Sequence, residues 1–96
     1  MTKNDSDLER LRSEAKTIIL NVGDIVIDHI SDMRGILLNR IRHIDIEKDD
    51  VYLWEVKVFN KPNDSSNTIM EEEGLKFSIA IGTVEWHSVE QNRIVQ

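Results

Sequence analysis

The sequence predicts a mainly β domain, a small and strongly bent antiparallel five-stranded barrel with an amphipathic helix before it. Three observations carry that expectation. Residues 51–60 alternate with period two, placing Tyr52, Trp54, Val56 and Val58 on one side and Leu53, Glu55, Lys57 and Phe59 on the other, the pattern of a half-buried strand. A second alternation sets Leu75, Phe77, Ile79 and Ile81 against Lys76, Ser78, Ala80 and Gly82. The connections between apolar runs are short and rich in turn formers, apart from one polar stretch over 60–67, and such spacing suits a small closed sheet.

In chain order, Ser6-Asp7-Leu8-Glu9 has the form of a capping box. Leu8, Leu11, Ala15 and Ile18 or Ile19 follow at helical spacing, so the spacing predicts a helix from about Asp7 to Thr17–Leu20. A lone helix of that length is marginal in water. Residues 1–20 are therefore expected to pack on the barrel or on a partner, and residues 21–96 to form the barrel. Asn21 or Gly23 can take the left-handed turn position after the helix. Gly23 to Asp28 reads as the first strand, and Ser31, Asp32 and Gly35 mark a turn. The next run, 36–46, places Arg40 and Arg42 on the parity of Ile36, Leu38, Ile44 and Ile46, a conflict that a bulge or sharp bend near Arg40 would relieve. Residues 47–50 form a polar turn into the 51–60 strand. A mobile loop is expected at about 60–70, followed by a single helical turn stopped by Gly74, the strand from Leu75, and a last strand. In that last strand Val84 and Trp86 face in and Glu85 and His87 face out.

Composition narrows the function. Ninety-six residues allow one domain. Cysteine is absent, which excludes disulfides and thiolate metal sites. The N-terminal stretch has no apolar core of a secretory signal, and Ile18-Ile19-Leu20 is too short to span a bilayer. The expectation is a cytoplasmic protein with no membrane association and no cofactor. The net charge is −6, which disfavours nucleic acid held by phosphate neutralisation.

No motif of nucleophilic or metal catalysis is present. His43 with Asp45 and Glu85 with His87 are spaced to share a strand face, so a carboxylate can orient an imidazole, but exposed ion pairs have the same spacing. The carboxylate runs over 45–50 and 71–73 lack the glycine of a calcium loop and read as solvated turns. The best candidate binding surface is Arg34, Arg40 and Arg42 with His43, suited to a carboxylate-rich partner or a phosphate. Its plainer reading is ion pairing with Asp24, Asp28, Asp45 or Glu55.

Val22-Gly23-Asp24-Ile25-Val26, Arg34-Gly35-Ile36-Leu37 and Trp54-Glu55-Val56 together resemble Src-homology-3-like barrels, in particular those of the KOW and Tudor groups. The runs Glu71 to Ile79 and Glu85-Trp86-His87-Ser88 are similar to small proteins of tailed bacteriophages. A small barrel has limited core volume for an active site and no reactive constellation stands out, so the expectation is a non-enzymatic protein-interaction or structural module, for which the resemblance suggests a phage accessory or virion-associated protein. That module would bind a protein partner or itself through a strand edge, its N-terminal helix or the long loop. The alternative is a nucleic-acid-binding barrel using Arg34, Arg40 and Arg42.

Overall fold

The computed structural model describes residues 3–44, 46–47, 50–61 and 67–90, with side chains from Asp7 onward in the first helix. Helix α1 (Lys3–Lys16) is followed by β1 (Ile25–Asp28), β2 (Met33–His43), β3 (Val51–Val58), β4 (Thr68–Glu71), α2 (Glu72–Ile81) and β5 (Val84–His87). The strands form one antiparallel sheet in the order β4-β3-β2-β1-β5. The mainly β expectation holds, but closure into a barrel does not. β4 and β5 remain the two edges of an open sheet, and α2 links them in the chain while packing on both.

The fourth strand is not the predicted one. Residues 72–81 are helical, and β4 lies immediately before them where a loop and a single turn were expected. The helix has clear local causes. Glu72 and Glu73 occupy its first turn, the favourable end of its dipole. At its other end Gly82 adopts φ 90°. Its N–H donates to Ile79 O (3.2 Å) and that of Thr83 to Ser78 O (3.0 Å), the pairing of a Schellman ending. The misleading alternation arises because α2 is apolar on two sides. Leu75 and Ile79 point into the core, whereas Phe77, about 200° away at 100° per residue, lines a groove shared with Ala15 of α1.

Helix α1 begins four residues before Asp7, which places Ser6 inside it rather than at its cap. Among the described residues it packs on α2 and on no strand. The chain then turns through Gly23 (φ 96°). The sheet's inner face carries the core: Val26, Leu37, Trp54, Val56 and Val84 pack with Leu20 and Leu75, each at most 7% exposed. The expected break in β2 is a register shift between Leu37 and Asn39. Leu37 opposes Val56 before it, and Arg40 opposes Trp54 after it, so Arg40 and Arg42 take the inner parity beyond the shift. Gly35 is required for packing, since a Cβ there would overlap Val56 Cγ1. Asp45, Lys48, Asp49, residues 62–66 and the tail 91–96 lie outside the described residues, and with them the His43–Asp45 pair and the middle of the expected mobile loop.

Candidate functional site

Four features of the fold bear chemistry or contact surface. The first is a cluster around Glu72, where α2 begins against the inner end of β2 and β3. The Glu72 side chain is 10% exposed. Arg40 donates to it through Nε to Oε1 and through Nη2 to Oε2, both at 2.8 Å, a two-point pairing of charged groups. Trp54 Nε1–H donates to Oε1 at 3.0 Å, and Lys76 Nζ stands 4.0 Å from Oε2. The Arg40 guanidinium lies 3.6 Å above the Tyr52 ring centre, a cation–π contact. The hydrogen bond from Arg40 holds the Glu72 carboxyl below its usual range, opposing burial, which acts the other way. Outside this cluster, Arg12, Lys16, Glu71, Glu73 and Phe77 help to line a groove of ≈ 570 Å³ between α1 and α2.

The second feature is Asp24, fully buried. Its Oδ2 accepts from Asn21 N–H (2.8 Å) and Trp86 Nε1–H (2.9 Å), and its Oδ1 from Val89 N–H (2.8 Å). One carboxylate thus fixes the turn before β1, the last strand and the segment after it. Each tryptophan of the chain therefore donates its indole N–H to an acidic residue distant in sequence.

The third is an exposed trio. His29 Nε2 lies 3.5 Å from Glu85 Oε1, and His87 Nε2 contacts Glu85 Oε2. The sequence paired His87 with Glu85, and the fold adds His29. The His87 contact, then that of His29, lowers the Glu85 pKa. Among the described residues no group of three or more His, Asp or Glu has the arrangement to hold a metal ion.

The predicted basic surface divides. Arg34 takes part in the outer-facing register opposite Ile27, six residues or roughly 20 Å along the strand from Arg40. Arg40 and Arg42 share the inner parity. Among the described residues their partners are Glu72 and Asp50, not Asp24, Asp28 or Glu55; Asp45, the other carboxylate that the sequence suggested, lies outside the described residues. His43 ends β2 and is exposed.

The fourth feature is the outer face of the sheet. Its registers read Ile41–Leu53–Glu71, Asn39–Glu55–Ile69, Lys57–Ile36–Ile25–His87 and Arg34–Ile27–Glu85. An antiparallel sheet with a solvated face ordinarily presents polar residues there, yet every register here contains at least one large aliphatic residue. Ile41 and Ile69 are 39% and 52% exposed, and Phe59, which continues the parity of β3, is 54% exposed.

No protein-family model matches the sequence, and comparison with curated proteins and with solved structures gives no significant match.

Proposed function

We propose that this chain is a non-enzymatic protein-interaction or structural module whose contact surface is the outer face of the sheet. The observation that carries this reading is the distribution of layers. α2 and the core occupy the inner face, among the described residues α1 packs on α2 and on no strand, and the aliphatic residues interspersed on the other face have no described helix packed over them. The buried carboxylates serve the chain itself, because Asp24 and Glu72 both accept hydrogen bonds from its own donors. A Src-homology-3-like scaffold is consistent with the strand order. The order β4-β3-β2-β1-β5 is that of a closed five-stranded meander opened between its fourth and fifth strands. The resemblance to phage proteins makes a virion-associated or accessory role the biological setting that we favour.

The test is site-specific photo-crosslinking in cells that express the chain. A photoreactive side chain at Ile36 or Leu53 is expected to give discrete protein adducts, and one at Ser13 or Glu73, on the helices, is not. Adducts from the helical positions alone, or from none of the four, would refute the proposal.

A further inference from the structure

We infer that the occupant of the outer face is a second copy of this chain, packed face to face with β3 antiparallel to β3 across a two-fold axis. This rests on the proposed function and names the partner.

The charges of the face select that geometry. On β3 the acidic Glu55 and the basic Lys57 occupy neighbouring outer positions, and Leu53 and Phe59 flank them. Glu71 lies at the Glu55 end, opposite Leu53. Arg34 lies at the Lys57 end and accepts the Phe59 N–H at its carbonyl. A two-fold in the interface plane, running across the strands between Glu55 and Lys57, exchanges the two ends. Glu55 of each copy then lies over Lys57 of the other, and Leu53 over Phe59, each contact made twice. A two-fold along the strands would instead stack Glu55 on Glu55 and Lys57 on Lys57. The patch is thus self-complementary in one orientation, as a symmetric dimer interface must be.

Glu55 is suited to this role. Asn39 Nδ2 and Asn67 Nδ2 donate to its two oxygens at 2.7 and 3.1 Å. These bonds lower its pKa, Asn39 most, and keep the carboxylate ionised and aimed. Strands about 4.8 Å apart with a rise of about 3.3 Å per residue, of four residues in β1, β4 and β5, eleven in β2 and eight in β3, give the face an area of roughly 500 Å² per copy. That is below the ~800 Å² per partner of a standard interface, so a reversible dimer with micromolar dissociation is expected.

Sedimentation velocity on the purified full chain between about 5 and 500 µM tests this. The unaltered protein is expected to pass from monomer to dimer within that span. Lys57→Glu and Glu55→Lys should each weaken association about tenfold or more by setting like charges face to face. The double variant Glu55→Lys/Lys57→Glu should restore it, and Leu53→Lys should abolish it, with circular dichroism unchanged in all four. A monomer throughout the range would overturn the inference. So would a dimer insensitive to these changes, or a double variant no better than its single parents. If the purified chain is monomeric while Ile36 and Leu53 still crosslink to other proteins in cells, self-association fails and the proposed function stands.

Discussion

Replacing Glu72 with alanine removes the acceptor that joins α2 to β2 and β3, and its cost follows from the exposure of each donor. Trp54 is 1% exposed, so water cannot replace the lost acceptor for its indole N–H. An unsatisfied buried donor costs about 1–3 kcal/mol. The Arg40 side chain is 45% exposed and rehydrates, so its lost pairing adds only about 1 kcal/mol or less. The sum is about 1–4 kcal/mol, against a total of roughly 5–14 kcal/mol for a domain of this length. It should lower Tm by roughly 5–30 °C.

Urea unfolding of Glu72→Ala, Trp54→Phe and the double variant forms a cycle in which the two changes are expected to be non-additive by ~0.5–3 kcal/mol. Glu72→Gln, which keeps an acceptor for Trp54 without the charge, should fall between the alanine variant and the unaltered protein. Acid supplies an independent readout. The folded Glu72 carboxyl titrates below its ordinary range, chiefly because Arg40 donates to it. Its contribution is therefore fully present above about pH 4.3, the unfolded glutamate value, and is lost as pH falls through the lower folded value. Glu72→Gln should flatten that acid limb. A Glu72→Ala variant within ~0.5 kcal/mol of the unaltered protein, or strict additivity with Trp54→Phe, would mean that Glu72 does not tie α2 to the sheet.

Three further outcomes are expected. Asp24→Ala leaves the Trp86 indole and the Val89 amide without their acceptor, so it should cost about 2–4 kcal/mol and speed amide exchange at Val89 ahead of the sheet. Gly35→Ala forces a Cβ against Val56 and should cost about 1–3 kcal/mol through overpacking, measured by urea unfolding. His87→Ala should raise the Glu85 pKa in an NMR titration more than His29→Ala does, following the order of their effects; equal or reversed shifts would contradict that order.

The strands whose phase was set by one buried face were legible in the sequence. Trp54 and Val56 lie in the core as their alternation implies, Val84 is buried with Glu85 and His87 exposed outside it, and the parity conflict of β2 is relieved by a register shift close to Arg40. α2 was missed because a helix packed on two sides repeats its apolar residues on opposite faces, which over seven residues imitates a strand. Its other signals were present: Leu75 and Ile79 four apart, two glutamates in the first turn and Gly82 as the stop. Glu72 was hidden in a run of three glutamates, of which only the fold reveals that one turns inward. The partnership of Asp24 with Trp86 spans 62 residues and leaves no local trace. The division of the arginines between two faces depends on the register shift, whose position the parity pattern located only approximately.

NMR of methyl-labelled protein with a soluble paramagnetic agent separates the core face of the sheet from the face proposed to contact a second copy. At the lowest workable concentration the methyls of Ile36, Ile41 and Leu53 should broaden while those of Val26, Leu37 and Val56 do not, and the first group should become protected as concentration rises. Protection of Ile36, Ile41 and Leu53 at every concentration would mean that the chain covers this face itself, and broadening at every concentration would mean that no second copy does; either result would contradict the account.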